Sequence, residues 1–234
     1  MTIETNGESV PTRNAREAHP GVRIVIEVGG KGGRGEGDES LLNHFKTPEG
    51  SMFYYHLDRH ADRVDIPARE GAPPSLGRTA DLLTASFLED TYFEGSADSF
   101  IAFNTLSVSG VELAPHTPEA MGTSKSPEEI RNALYERILK KIGKILTPAG
   151  KAYIGEWITP QILDELRAID FPKLGLCAEF ITYQQGREEQ GRARLLDALK
   201  ELAIDARKTE DISTSFEKNV VEGSTPFLLV LSRV

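Results

Sequence analysis

A glycine-rich turn between a hydrophobic run and a polar segment is the part of this sequence best suited to bind a ligand. Residues 22–28 are mostly apolar, and five of the seven residues from Gly29 to Gly35 are glycine. Glycine reaches positive φ angles, and because it lacks a Cβ the backbone can approach a ligand, whose polar groups then meet the free amides of a following helix. Residues 39–46 are predicted to form that helix. The succession of strand, glycine turn and helix predicts a nucleotide-like cofactor site, although a flexible surface loop has the same composition.

Two polar residues close the hydrophobic runs that follow. Asp58 ends the run 52–58 and lies 25 residues after Gly33. In nucleotide-binding α/β folds, an acid about 20 residues past the glycines accepts hydrogen bonds from ribose hydroxyls. Asn104 ends the run 97–104, at the strand end where open α/β sheets bind ligands. We therefore predict that Asp58 binds a cofactor and that Asn104 faces the reacting groups, with turn formation as the alternative for each.

The histidines and the single cysteine give weaker indications of a functional site. His116 lies in a long irregular segment, 105–126, of the kind that builds lids and binding walls, and it is the histidine best placed to reach a pocket. An exposed loop histidine is the alternative. The histidines show no spacing typical of metal ligands, so no metal site is predicted. The single cysteine, Cys177, lies in an apolar run and is predicted to be a buried small hydrophobic residue.

The charge and the hydrophobic pattern of the chain limit the kinds of partner that it is expected to bind. The chain has 234 residues, 27 Lys plus Arg against 36 Asp plus Glu, and a net charge of −9. Without a dense basic cluster, nucleic acid is a poor default partner. No run approaches the ~20 apolar residues that span a bilayer, and the N-terminus has no hydrophobic signal core, so no membrane association is expected and a cytoplasmic location is predicted.

Apolar runs alternate with helical segments along the chain, which predicts an α/β fold. A Pro/Gly-rich connection follows the second strand, and the third strand is assigned to 81–88. Ser126, Pro127 and Glu129 have the types and spacing of a capping box at the start of a helix. Further strands are predicted at 97–104, 151–157, 174–183 and 225–232, and further helices at 159–166 and 187–206. The last two strands are predicted to form a pair at one edge of the sheet. Residues 1–20 are predicted to be a flexible arm and residues 21–234 a single domain.

Three segments together resemble the class I S-adenosylmethionine-dependent methyltransferases. Residues 24–33 are similar to the family's first motif, in which a hydrophobic strand leads through an acid into spaced glycines. Residues 53–58 are similar to its second motif, and residues 144–154 to the passage into its fifth strand. The resemblance covers residues 22–234. It implies a Rossmann-like three-layer sandwich with a mostly parallel seven-stranded sheet and an antiparallel terminal strand, S-adenosylmethionine as cofactor, and methyl transfer to a small-molecule or protein substrate.

The resemblance also implies a set of site residues. Glu27 and Gly29 correspond to the methionine end of the cofactor, Asp58 to the ribose, and Asn104 to the position facing the methyl group. The other implied cofactor-binding residues are Gly30, Gly33, Ser86 and Phe87, the last two beside the adenine.

The sequence departs from the family pattern at two positions. Lys31 occupies a glycine position in the spacing that starts at Glu27, and Ser86 replaces an expected acid. These departures favour an alternative, a catalytically silent methyltransferase-like module for binding or assembly. A nicotinamide-dependent oxidoreductase is a further alternative, because the glycines and Asp58 also fit it.

Overall fold

The structure, a computed structural model, describes residues 14–29, 41–58, 69–80, 87, 90–103, 105, 126–158, 160–183, 188–221 and 225–234. The described residues contain one seven-stranded sheet. Its strands are β1 (Arg23–Val28), β2 (Met52–Asp58), β3 (Ser75–Thr79), β4 (Ala97–Phe103), β5 (Leu146–Ile158), β6 (Leu176–Thr182) and β7 (Thr225–Arg233). The middle strands are buried on both faces, which explains why they read as nearly continuous apolar runs.

The strand order is β3-β2-β1-β4-β5-β7-β6. β1 pairs in parallel with β2 and β4, β2 with β3, and β4 with β5, whereas β7 is antiparallel to both β5 and β6. This arrangement confirms the predicted mostly parallel sheet and the antiparallel direction of the 225–232 strand. The chain order of the strands reverses between β1 and β4, and in open α/β sheets such a reversal opens a ligand-binding crevice at the carboxyl ends of the strands.

Helices cover both faces of the sheet. They are α1 (Ala15–Ala18), α2 (Pro127–Ile145), α3 (Pro160–Arg167), α4 (Glu188–Lys200) and α5 (Ala206–Val221). The predicted capping box opens α2: Glu129 N donates to Ser126 Oγ at 3.2 Å, and Ser126 N donates to Glu129 Oε2 at 2.7 Å. Side chains of α2 and α3 share a core with Ile26 of β1, while α4 and α5 share a second core with Val25. Because successive side chains of β1 point to opposite faces of the sheet, this strand contributes residues to both cores.

The third strand lies at 75–79, so its assignment to 81–88 was wrong. Phe87, which belongs to that range, is helical in the structure. Among the described strands β3 pairs with β2 alone, and all five of its residues are exposed or half-buried, with Leu76 46% exposed. An edge strand needs few apolar side chains, and Ser75–Thr79 therefore lacks the hydrophobic run by which the other strands could be found.

Two further sequence predictions near the end of the chain need correction. From sequence, the helix that starts at residue 187 ends near Ala206 and is followed by a polar stretch, but residues Ala206–Val221 form α5. Ile212, Phe216 and Val220 recur every four residues and pack in the core under this helix. Cys177 is exposed instead of buried. It lies on β6, which ends the sheet and leaves much of its own surface uncovered.

Residues 14–20, assigned from sequence to the arm, are packed against the start of β4. Arg16 makes an ion pair with Asp98, with 2.6 Å between Nη2 and Oδ2, and donates to the carbonyl oxygen of Ser96 at 2.7 Å. His19 stacks on Phe53, with 3.6 Å between ring centroids. Asp98 and Phe53 lie near the amino ends of their strands. The described part of the arm is therefore at the sheet edge opposite the carboxyl ends.

Where the described chain resumes after the glycine turn, it is tied to the start of α5. His44 Nδ1 lies 2.8 Å from Asp205 Oδ2, and Phe45 pairs with Ile204. Asp205 also caps α5, because Lys208 N donates to its Oδ1 at 2.8 Å. Burial would raise the pKa of Asp205, but the hydrogen bonds from Lys208 and His44 outweigh burial and hold the pKa below its ordinary value of 3.8.

Asp205→Asn should therefore cost about 0.5–1 kcal/mol of stability at neutral pH, because asparagine still caps the helix but brings no charge to the helix dipole or to His44. A carboxylate with a lowered pKa stabilises the fold above its ordinary pKa and loses that contribution as the pH falls through the folded-state value. Urea denaturation at a series of pH values should show the parent and the variant converging below pH 3.8. A stability difference that stays constant to the acid end of the series would contradict the assignment.

Candidate functional site

Glu27 places a carboxylate near the carboxyl end of β1. Its side chain is 4% exposed, and the Tyr54 hydroxyl donates a hydrogen bond to Glu27 Oε2. Tyr54 is the register partner of Val25, and His56 is the partner of Glu27, so these side chains share one face of the sheet. A buried carboxylate requires such hydrogen-bonded support, and here the neighbouring strand supplies it.

Gly29 follows β1 directly and has the left-handed backbone that favours glycine. Its φ is +72°. The Gly29 amide donates to the carbonyl oxygen of Leu57 at 2.9 Å, which continues the pairing of β1 with β2 by one residue. A Cβ built at Gly29 would lie 2.9 Å from Thr105 Oγ1. Both the conformation and the space therefore require glycine at the start of the turn.

Asp58 is the last residue of β2 and is 4% exposed. Its carbonyl oxygen accepts a hydrogen bond from Ala80 N at 2.8 Å, so the backbone stays in the sheet to the strand's end. Asp58 is two residues after His56 and lies on the same face as Glu27. Adjacent strands are about 4.8 Å apart. Two acids therefore point to one face near the carboxyl ends of neighbouring strands, and Asp58 ends its strand as predicted.

Two polar residues of this edge were missed in the sequence. Thr105 N donates to Glu156 Oε1 at 2.9 Å, and the Thr105 hydroxyl lies 3.1 Å from the carbonyl oxygen of Phe103 and 3.3 Å from that of Val28. Glu156 is on β5 and is fully buried. An acid within the run 152–158, which has no other charged residue, is a signal that could have identified Glu156. Thr105 carries no comparable signal.

The Glu156 carboxylate influences Tyr135 on the face of the sheet covered by α2 and α3. Burial, and then the carboxylates of Glu156 and Glu165, raise the pKa of the Tyr135 hydroxyl. Glu165 in turn makes a bidentate pair with Arg131, in which Arg131 Nε lies 2.9 Å from Glu165 Oε2. Tyr135 is therefore a neutral hydroxyl at physiological pH.

The other predicted site residues divide between described and undescribed parts of the chain. Phe87 is 2% exposed and belongs to the core that contains side chains of α2 and α3; its predicted role beside the adenine is not tested by this placement. Asn104, His116, Gly30, Gly33 and Ser86 lie outside the described residues, as does Lys31. Their roles remain predictions.

Two kinds of feature are absent from the described residues. In the ranges that the structure describes, no three His, Cys, Asp or Glu side chains come together in a way that could hold a metal ion. Among the helices of those ranges, none is both long enough and apolar enough to cross a membrane.

No family model and no curated protein matches the chain. Among solved structures it is similar to the Haemonchus contortus phosphoethanolamine N-methyltransferase 2, at 10% identity and a TM-score of 0.42, over 96% of this chain and 50% of that one. The chain thus spans half the length of the Haemonchus protein. It is also similar to a TehB-like S-adenosylmethionine-dependent methyltransferase from Corynebacterium glutamicum, at 15% identity and a TM-score of 0.39, over 93% and 83% of the two chains. A third similar structure is the [4+2]-cyclase SpnF, at 13% identity and a TM-score of 0.45, over 92% and 76%.

The strand order defines the fold class. A seven-stranded sheet in the order 3-2-1-4-5-7-6 with an antiparallel seventh strand is the class I methyltransferase fold, and the chain has this fold. The resemblance noted in the sequence is therefore confirmed at the level of fold.

Proposed function

We propose that this protein binds S-adenosylmethionine at the carboxyl edge of β1 and β2 and transfers its methyl group to a small-molecule or protein substrate. The observation that carries the proposal is the placement of Glu27, Gly29 and Asp58 within a class I methyltransferase sheet. Glu27 and Asp58 share one face at the ends of adjacent strands, and Gly29 follows β1 directly with a φ of +72°.

The charges at this edge suit the proposed cofactor. S-adenosylmethionine carries a positive sulfonium, and carboxylates in a partly dry site attract a cation more strongly than they would in water. Asp58 would accept hydrogen bonds from the ribose hydroxyls. Methyl transfer from a sulfonium is an in-line displacement, so the protein's contribution would be mainly to align nucleophile, carbon and sulfur and to exclude water.

The sheet also weighs against one alternative. Dinucleotide-binding domains have strand order 3-2-1-4-5-6. Here β7 is inserted antiparallel between β5 and β6. A nicotinamide-dependent oxidoreductase is therefore the weaker interpretation of the glycines and Asp58.

Thermal unfolding with S-adenosylmethionine, S-adenosylhomocysteine, NAD or no ligand tests the proposal. A ligand present at 100 times its dissociation constant stabilises the fold by about 2.7 kcal/mol. We expect the first two compounds to raise the melting temperature and NAD to leave it unchanged. Stabilisation by NAD alone, or by none of the three, would contradict the proposal.

Lys31 is the residue that separates an enzyme from a silent module. A lysine ammonium within ~4 Å of the sulfonium would repel it by about 1 kcal/mol in water and by several times that in a drier site. In an active enzyme Lys31 should project to solvent, so that Lys31→Gly changes the affinity for S-adenosylmethionine by less than about tenfold, equivalent to roughly 1.4 kcal/mol. Calorimetry of Lys31→Gly and Lys31→Ala would separate loss of the ammonium from gain of glycine flexibility. A gain of tenfold or more in both would support the silent module.

A further inference from the structure

We propose that Thr105 and Glu156 are positioning residues that form the floor of the cofactor crevice. The inference rests on the proposed function. It concerns Thr105, which follows β4 and bonds to the last residue of β1, and Glu156 of β5, which bonds to Thr105; neither was expected from the sequence.

Thr105 lies where the crevice begins. It follows β4, and its hydroxyl is shared between the carbonyl oxygens of Phe103, at 3.1 Å, and Val28, at 3.3 Å. Val28 is the last residue of β1, so the Thr105 side chain spans from β4 to β1. The chain order reverses between these two strands. Thr105 therefore occupies the base of the crevice in which ligands of open α/β sheets bind.

The Thr105 side chain fills the space that a Cβ on Gly29 would need. A Cβ on Gly29 would lie 2.9 Å from Thr105 Oγ1 and 3.6 Å from Thr105 Cγ2. The hydroxyl thus lies beside Gly29. A change in the position of Thr105 would therefore affect the surroundings of Gly29, which is proposed to lie at the methionine end of the cofactor.

Glu156 accepts a hydrogen bond from the Thr105 backbone and so fixes its position. Its Oε1 accepts the Thr105 amide at 2.9 Å, and the side chain is fully buried. A hydrogen bond from an amide to a carboxylate is roughly twice as strong as one between neutral groups. Because Ala152 and Ile154 belong to the core under α2 and α3, Glu156 lies on that face, opposite Glu27 and Asp58. The ends of β5, β4 and β1 are therefore joined through Glu156 and Thr105.

The test compares two replacements of Thr105 in the full chain. Thr105→Ser keeps the hydroxyl, whereas Thr105→Val keeps the shape and removes it. Calorimetric titration with S-adenosylhomocysteine should show affinity within about twofold of the parent for Thr105→Ser and a loss of about five- to tenfold for Thr105→Val, the effect of one neutral hydrogen bond. The melting temperatures of the unliganded variants, measured in parallel, show whether a loss of affinity follows a loss of stability.

Amide exchange in the unliganded protein provides a readout that does not depend on the cofactor. The Thr105 amide should exchange slowly in the parent and faster in Glu156→Gln, because a neutral acceptor replaces a charged one. The Glu156→Gln affinity should fall between those of Thr105→Ser and Thr105→Val.

The outcomes separate the two proposals. Parent binding with equal affinities in Thr105→Val and Thr105→Ser would overturn the positioning role and leave the proposed function intact. A parent that binds no S-adenosylhomocysteine would overturn the proposed function and the ligand role of Thr105 with it. Unchanged exchange of the Thr105 amide in Glu156→Gln would overturn the part assigned to Glu156 in either case.

Discussion

Replacing Gly29 by alanine should lower the free energy of unfolding by about 2–5 kcal/mol and weaken cofactor binding at the same time. Two costs add. A residue with a Cβ at φ +72° is strained, which costs on the order of 1–2 kcal/mol. The new methyl group would also lie 2.9 Å from Thr105 Oγ1, and forcing extra volume into a packed site costs about 1–3 kcal/mol.

Gly50→Ala is the matched control for this experiment. Gly50 also has φ +72°, but a Cβ built there has no atom within 4 Å. It should therefore show the backbone strain alone, about 1–2 kcal/mol. Chemical denaturation of both variants isolates the contact with Thr105. Equal losses of stability in Gly29→Ala and Gly50→Ala would mean that the contact carries no energy.

The second large effect is expected at Asp58. Asp58→Ala should weaken binding of S-adenosylmethionine by about 1.5–3 kcal/mol, the value for a hydrogen bond to a charged group, or roughly 10- to 150-fold. The Asp58 backbone remains in the sheet through its carbonyl bond to Ala80 N. We therefore expect the variant to remain folded, which circular dichroism can check.

Asp197→Ala controls for the loss of a negative charge. Asp197 is on α4, its side chain is 71% exposed, and its partner is Lys200 on the same helix. Exposed pairs of this kind contribute about 0–1 kcal/mol, so both stability and affinity should stay close to the parent's. Unchanged affinity in Asp58→Ala would return Asp58 to the role of a strand-end turn residue.

Several parts of the fold could be predicted because their signals are local. The strand 22–28 and the strand 52–58 are runs of residues that a doubly covered sheet buries on both faces, and both were placed to within a residue of the observed β1 and β2. The capping box at Ser126 depends on residues three apart and was predicted with its partner. Asp58 could be proposed as a site residue because it ends such a strand.

Local sequence patterns do not show which strands lie at the edges of the sheet. β3 and β6 have neighbours on one side only, so their side chains need not be apolar. This explains both the misplaced third strand and the exposed Cys177. Helix α5 was missed for a related reason: its apolar residues are single and widely spaced, and they become a buried face only where the helix meets β7 and α4.

The sequence by itself determined the class of fold, the central strands and the acid that closes β2, since each depends on patterns within a few residues. Only the tertiary structure decided that Glu156 supports Thr105 and that Thr105 packs against Gly29. Thr105 and Glu156 are 51 residues apart in the chain, and Thr105 and Val28 are 77 apart. Hydrogen bonds over such separations form because parallel pairing brings the carboxyl ends of β1, β4 and β5 to one edge of the sheet. No short stretch of sequence specifies which strands pair in this way.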